Sequence, residues 1–181
     1  SELFRDWNDK NPFLWGPEWS SPMENSIRLV NWLVAAAFLD ATDGAGELAR
    51  SLRDRLADGS WVIAANVRRH YSRHSSANNH TVIEAVGVGI AAVVFGEEGW
   101  LLEAVSLLEN EITRQTWPDG VNKEQALHYQ LFVMEALCLL SHVLRASGHE
   151  LPSELASLVR SMAGYARSCS VGNGRYIEFG D

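Results

Sequence analysis

The sequence predicts an all-α fold built from a layered array of helical hairpins. Apolar residues recur at helical spacing along most of the 181 residues, and no convincing strand pattern appears before the last ten. Residues 79–95 and 131–143 are apolar nearly all round, so these helices must be buried on most faces. An inner ring of helices covered by an outer ring explains this better than a simple bundle in which every helix faces water.

Seven helices are expected, joined by short turns marked by glycine, proline or aspartate. In the second of them, Leu48, Leu52 and Leu56 recur four residues apart along one face. Gly148 ends the sixth helix, because glycine readily adopts the left-handed conformation that follows many helices. The predicted ranges, in chain order, are residues 24–39, 44–56, 61–74, 79–95, 98–115, 124–146 and 153–167.

The segment before the first predicted helix combines a loop-like composition with many aromatic rings. It holds Trp7, Phe13, Trp15 and Trp19 among prolines and glycine. A solvent-exposed tail would not carry so many rings. Either the rings cover the end of the helical array, or they form one wall of a sugar-binding cleft, in which they stack on pyranose faces.

Composition and charge exclude several classes of partner. A net charge of −8 argues against nucleic acid and anionic membrane, although a few local arginines and lysines could still hold an anionic substrate. No apolar run reaches the roughly 20 residues that span a membrane, and the polar first residues do not form a signal peptide. The chain begins without Met, so we expect that its original N-terminus was removed. Cys138 lies in an apolar run and is expected to be a small core residue.

Polar residues gather at the start of the apolar stretch 79–95. Asn78 or Asn79 would cap the helix by accepting a hydrogen bond from a free backbone N–H, but a cap leaves His80 unexplained. His80 and Glu84 are four residues apart on one helical face, which favours a hydrogen bond between them in the core. Two such side chains without a partner cluster do not make a metal site, so neither a metal nor another cofactor is expected.

A second polar group follows the Pro-Asp-Gly turn at residues 118–120. Gln125 and Tyr129 are four residues apart and would share one face of the predicted helix, whereas His128 would point about 100° away. Tyr129 is either an amphipathic core residue whose hydroxyl is satisfied or a phenol that faces a cleft.

A third polar group opens the first predicted helix. Glu24 and Arg28 are four residues apart, a spacing that allows an ion pair along the helix surface. Arg28 could equally point into a cleft and hold a carboxylate.

Four segments, in order and at sensible spacing, resemble the N-terminal helical part of the heparinase II/III-like polysaccharide lyases. The motif ENSIRLVNW resembles the first characteristic helix of that family, and Asn79-His80 resembles its Asn-His element. Residues 101–140 resemble its catalytic-tyrosine segment, and the closing FGD resembles the start of its Gly-Asp turn. The resemblance covers most of the chain.

The resemblance implies an incomplete (α/α) toroid that forms a single domain over residues 1–181 and is followed in the family by a β-sandwich domain. It implies β-elimination of uronate-containing polysaccharides such as heparin, heparan sulfate or alginate, and suggests a periplasmic or secreted enzyme. The chain would then be one domain of a longer enzyme. Its partners would be the anionic polysaccharide and the β-sandwich domain, with no nucleic acid and no membrane. Because that domain contributes a further histidine in the family, the isolated chain is expected to be inactive or impaired.

Carried over position by position, the resemblance assigns three catalytic residues. Asn79 would bind the uronate carboxylate, His80 would assist it or act as a base, and Tyr129 would be the general acid and also a base. The residues expected to contact substrate are Arg28, Gln125, Trp15, Trp19 and Asn78.

Two other functions remain open from the residues alone. A glycoside hydrolase needs two carboxylates that flank the scissile bond, and Asp119 and Glu124 are the best pair, although Asp119 is equally a turn residue. A non-catalytic domain that binds glycans or packs on a partner would leave Asn79, His80 and Tyr129 in the core or far apart.

Overall fold

The structure is a computed structural model that describes residues 2–41, 46–74 and 77–180. Within these ranges seven α-helices are followed by one short antiparallel hairpin, so the predicted all-α class is confirmed. A single 3-10 turn, Pro17–Trp19, lies between the first two helices. The elements are α1 Glu2–Lys10, α2 Pro22–Asp40, α3 Glu47–Arg69, α4 Asn79–Phe95, α5 Glu98–Gln115, α6 Leu127–Ala146, α7 Ser153–Ser168, β1 Ser170–Gly172 and β2 Arg175–Tyr176.

Helix α4 is the central helix of the array. Every residue from Thr81 to Ala92 is buried, and the helix packs against α2, α3, α5 and α6. Gly87 permits the close approach of α2, since a Cβ at this position would lie 2.8 Å from the Cβ of Ser26. The prediction that residues 79–95 are buried on most faces is therefore confirmed.

Helix α6 is buried along one stripe, so the same prediction is wrong for residues 131–143. Val133, Leu137, Leu140 and Leu144 are buried, whereas Cys138 is exposed and is not a core residue. In the part of the chain that the structure describes, α6 is also long and apolar enough to cross a membrane by length and composition, contrary to the prediction. The helix packs against α4 and α7 along its buried stripe, and length and composition alone are weak evidence that it spans a membrane.

Helix α3 joins two predicted helices into one. The break expected at residues 57–60 is absent: one helix runs from Glu47 to Arg69, and within it Gly59 faces the ring of Trp32. A Cβ at residue 59 would lie 2.6 Å from that ring. The predicted start at Gly44 lies outside the described residues.

The aromatic segment contains a helix that the sequence did not predict. Helix α1 places Trp7 against Trp19, with ring centroids 5.6 Å apart, and Phe13 meets Trp19 edge-on at 4.9 Å. The Trp19 indole is buried and donates to the carbonyl of Asn11. Trp15, in contrast, is 76% exposed. Trp19 thus covers the end of the helical array, as one of the two interpretations of this segment predicted.

Candidate functional site

The Asn-His element lies at the N-terminus of the buried helix α4. Asn78 is the N-cap, and its side chain accepts a hydrogen bond from the backbone N–H of His80 at 3.3 Å. The cap role predicted for Asn78 or Asn79 therefore falls to Asn78. Asn79 follows as a buried residue, 5% exposed, and His80 is half-buried.

The loop between α5 and α6 contacts this helix start through Glu124. The backbone N–H of Asn79 donates to Glu124 Oε1 at 3.2 Å, and Asn79 Nδ2 donates to Glu124 Oε2 at 3.3 Å. The two residues are 45 positions apart in the chain. These bonds bring together the first and second of the polar groups that the sequence singled out.

Two further residues hold the backbone just before Asn79. Gln115 Nε2 donates to the carbonyl of Asn78 at 2.9 Å, and the Arg114 guanidinium donates to the carbonyl of Ala77. Three successive residues, 77 to 79, are therefore each bonded to the segment that ends α5 and leads to α6. The position of the Asn-His element depends on this segment as well as on its own helix.

The α5–α6 loop is itself anchored by Gln130, which is fully buried in α6. Gln130 Oε1 accepts from the backbone N–H of Asn122 at 3.0 Å, and its Nε2 donates to the carbonyls of Gly120 and Met162. Asn122 Oδ1 then accepts from the backbone N–H of Glu124 at 2.8 Å. A chain of hydrogen bonds thus runs from the α6 core to the carboxylate that holds Asn79.

Tyr129 is the third residue of α6, and it is half-buried rather than sealed in the interior. It comes five residues after Glu124 along the chain, and Glu124 contacts Asn79. The N-terminus of α6 is completed from the far end of the chain, where the carbonyl of Phe179 accepts from the Leu127 N–H at 3.3 Å. Asp181, the last residue of the FGD motif, lies outside the described residues.

Gln125 does not share a helical face with Tyr129, which corrects the prediction. Helix α6 begins at Leu127, three residues later than expected, and Gln125 lies in the loop with φ of +56°. Its side chain is exposed. The spacing argument fails because it assumed a helix that had already started at residue 124.

Arg28 lies among the aromatic rings of the N-terminal segment. Its guanidinium stacks over Trp19 at 4.7 Å and Trp7 at 5.1 Å, and it donates to Asn25 Oδ1 at 2.6 Å. Burial lowers the pKa of Arg28 from its ordinary value, against the opposing charges of Glu18 and Glu24. Among the described contacts none joins Arg28 to Asn79 or Tyr129, so the structure does not bring these predicted site residues together directly.

Glu84 is bonded to Ser72 and not to His80, which corrects the expected His–Glu hydrogen bond. The buried carboxylate accepts from the backbone N–H and the hydroxyl of Ser72, both at 2.6 Å. Burial raises the pKa of Glu84, and the bonds from Ser72 and the nearby His80 oppose that rise. Across residues 2–41, 46–74 and 77–180 no three histidine, cysteine or carboxylate side chains are grouped to hold a metal ion.

The two carboxylates of the hydrolase alternative are both engaged. Asp119 Oδ1 accepts from the backbone N–H of Val121 at 3.2 Å, which is the role of a turn residue. Glu124 accepts both hydrogen bonds from Asn79. This environment gives a pair of catalytic carboxylates little support.

Three polar residues that support the candidate site were not predicted from the sequence. Gln115 and Gln130 are buried, and Ser72 is half-buried. A glutamine inside an apolar helical run was the available signal at residue 130, because a buried amide must find hydrogen-bond partners. No local pattern indicates which backbone groups those partners are.

The chain is similar to known proteins both in sequence and in fold. The family model of the heparinase II/III N-terminus matches residues 59–181. Among solved structures, heparinase III has a similar fold, with a TM-score of 0.76 and 18% identity over 93% of this chain and 26% of that chain. The heparan sulfate lyase HepC from Pedobacter heparinus is also similar, with a TM-score of 0.71 and 22% identity over 99% of this chain and 29% of that chain.

No curated protein sequence matches the chain. The chain spans less than a third of the length of either solved structure, 26% in one case and 29% in the other. The shared fold confirms the helical toroid that the resemblance implied. Since the family model covers more than half of its residues, this chain belongs to the heparinase II/III family.

Proposed function

We propose that this chain is the helical catalytic domain of a polysaccharide lyase that cleaves a uronate-containing polymer by β-elimination. The single observation that carries the proposal is the pair of hydrogen bonds from Asn79 to Glu124, because it joins the Asn-His element to the segment of Tyr129. Family membership supports the same reaction class. The similar structures are a heparinase III and a heparan sulfate lyase, which suggests a glycosaminoglycan as substrate.

Asn79 is the residue proposed to stabilise the substrate carboxylate. β-Elimination removes the proton on C5 of a uronate and expels the oxygen on C4, so negative charge builds up at the carboxylate in the transition state. An amide nitrogen carries two N–H groups, and Glu124 accepts only one of those on Asn79. The second N–H is the one proposed to bind the substrate carboxylate, where a positioned donor lowers the barrier. His80, next in the chain, would assist as a donor or a base.

Tyr129 is the residue proposed to move the protons. One tyrosine can remove the C5 proton and protonate the leaving oxygen if both lie on the same face of the sugar. A phenol ordinarily titrates near pH 10, so the role of base needs a cation nearby to favour the phenolate. Half-burial at the start of α6 leaves the side chain accessible to a sugar ring.

The proposed substrate contacts differ in the support they receive. Trp15 is largely exposed and free to stack on a sugar face. Gln125 is exposed in the loop next to Glu124. Trp19 is buried, Arg28 is stacked on it, and Asn78 caps α4, so these three favour a role in supporting the site.

The remainder of the enzyme, we propose, includes a β-sandwich domain that completes the site. Both similar structures are more than three times as long as the chain. Activity tests therefore require the full-length protein, in which the sandwich contributes its own residues.

The test is Tyr129→Phe in the full-length protein, incubated with a panel of uronate polymers and followed by the ultraviolet absorbance of the unsaturated product. The variant should lose roughly 10²–10⁴-fold in kcat, the usual worth of acid–base catalysis. Tyr165→Phe, which removes a partly buried phenol from α7, is the matched control and should keep its activity. Near-normal turnover of Tyr129→Phe, or cleavage that adds water and leaves no double bond, would refute the proposal.

A further inference from the structure

Glu124 binds Asn79 with both oxygens of its carboxylate. One oxygen accepts the backbone N–H and the other accepts the side-chain amide of the same residue. The backbone of Glu124 is held in turn by the buried side chain of Asn122. Glu124 is therefore held both at its backbone and at its carboxylate, and the position of the carboxylate relative to α4 is well defined.

An ionised carboxylate can only accept hydrogen bonds, and this decides how the Asn79 amide is oriented. Its NH₂ group must face Glu124, because turning the amide over would place two acceptors against each other. The contact is also favoured by charge, since a carboxylate at a helix N-terminus interacts well with the helix dipole and with the free N–H of the first turn. Hydrogen bonds to an ionised acceptor are stronger than neutral ones.

The helix start does not depend on Glu124 for its capping. Asn78 already caps α4, and Gln115 and Arg114 hold the two preceding carbonyls. Glu124 adds two bonds to these contacts, one from the Asn79 backbone N–H and one from the Asn79 side chain. Only the second of them acts on the orientation of the amide.

We propose that Glu124 is a positioning residue that orients the Asn79 amide toward the substrate carboxylate. This inference rests on the proposed lyase function of Asn79. With one N–H held by Glu124, the other points away from it in a fixed direction, so the amide does not have to reorient as charge builds up on the substrate. Glu124 acts through Asn79 and makes no contact with the substrate.

The experiment compares Glu124→Gln, Asn79→Ala and the double variant in the full-length protein. Glutamine keeps the size of the side chain but offers an NH₂ group in place of one acceptor, so it cannot bind Asn79 at both points. Glu124→Gln should lower kcat about 10–100-fold with little change in KM, as small misplacements of a reacting group do. The double variant should be no slower than Asn79→Ala, because Glu124 has nothing left to orient.

Glu103→Gln is the matched control. It also removes one charge and one charge-assisted hydrogen bond, from Arg68 at 2.7 Å, but on the surface between α3 and α5. Its kcat should stay within about twofold of the parent enzyme, and circular dichroism should show the same fold for all variants. If Glu124→Gln does not fold, Glu124→Asp replaces it, since it keeps the charge, is one methylene too short to reach both atoms, and carries the same prediction.

The outcomes separate the two proposals. If Asn79→Ala leaves kcat unchanged, the proposed function of Asn79 is wrong. If Asn79→Ala is slow but Glu124→Gln matches the parent, or if the double variant is much slower than Asn79→Ala, Glu124 does not act through Asn79. A change confined to KM would likewise overturn the positioning role and indicate direct substrate binding.

Discussion

Gln130→Leu should destabilise the protein more than a substitution of one polar residue ordinarily does. The Gln130 side chain is fully buried and makes three hydrogen bonds, all to backbone groups. They are the N–H of Asn122 at 3.0 Å, the carbonyl of Gly120 at 2.9 Å and the carbonyl of Met162 at 3.1 Å. Leucine has a similar volume but can satisfy none of them.

The magnitude follows from the two loop groups left without a partner, the Asn122 N–H and the Gly120 carbonyl, since the Met162 carbonyl lies inside α7 and keeps its intrahelical hydrogen bond. A buried donor or acceptor that loses its partner costs about 1–3 kcal/mol, so two cost about 2–6 kcal/mol. The buried leucine returns about 2 kcal/mol of apolar transfer energy. The middle of these ranges is a net loss of about 2 kcal/mol, which is a sizeable part of the roughly 5–15 kcal/mol that stabilises a typical domain.

The assay is urea unfolding, with Asn110→Leu as the matched control. Asn110 Nδ2 also donates to a backbone carbonyl, that of Ser106 at 3.0 Å, but on the exposed face of α5. The control should change the free energy of unfolding by no more than about 0.5 kcal/mol. If Gln130→Leu lowers the free energy of unfolding by less than about 1 kcal/mol, the loss of these hydrogen bonds does not carry the cost expected for unsatisfied buried groups.

Two other predictions concern the same loop and the buried Glu84 carboxylate of α4. Gly120→Ala should lower the free energy of unfolding by several kcal/mol, because a Cβ at this residue, whose φ is +92°, would overlap the backbone of Ser161. The control is Gly148→Ala, where φ is +82° and the surrounding space is open, so it should cost only the roughly 1–2 kcal/mol of left-handed strain. Equal losses for the two variants in thermal or urea unfolding would exclude the overlap. Burial raises the pKa of Glu84, so the folded chain keeps a proton that the unfolded chain has released, and the free energy of unfolding should fall as pH rises from the ordinary value of 4.5 through the raised pKa. Glu84→Gln should remove this part of the pH dependence, and identical pH profiles for the two proteins would contradict it.

The fold was predictable where burial alone decides it. Residues 79–95 are apolar on every side, and a helix of that kind has to lie inside other helices. The asparagine before it marked the start of α4 for a local reason, since a short polar side chain caps a helix within its own turn. Both signals lie within a few residues of the element they describe.

Predictions failed where a contact from elsewhere in the chain decides the local conformation. Helix α3 continues through Gly59, and Trp32 of another helix occupies the space where a Cβ would lie, so this glycine serves helix packing rather than a turn. Helix α6 starts late because Gln125 adopts a left-handed conformation and Phe179, near the other end of the chain, accepts the Leu127 N–H. Such contacts have no local pattern, so spacing rules misplace the helix ends.

The same distinction explains how much of the candidate site was predictable. The residues that would touch substrate, Asn79 and Tyr129, were found from motifs at two helix starts. Glu124 holds Asn79, and Gln130 holds the loop that carries Glu124; both join positions that are distant in sequence, and only the folded chain shows which atoms meet. Recognition of a motif therefore points to candidate reacting groups before it points to the residues that would orient them.

The proposed reacting groups lie at helix starts, where the rest of the fold holds their backbone in place. Asn79 precedes a run of buried residues, so it cannot move unless the core of α4 moves with it. Glu124 reaches it from a loop that would be mobile by itself, but Asn122 and Gln130 bind that loop to the core of α6. Precision of this kind is what a catalytic amide needs, because an error of about 1 Å can cost about 10²-fold in rate. It follows that Gln130→Leu should lower kcat as well as stability, although residue 130 is buried away from any sugar.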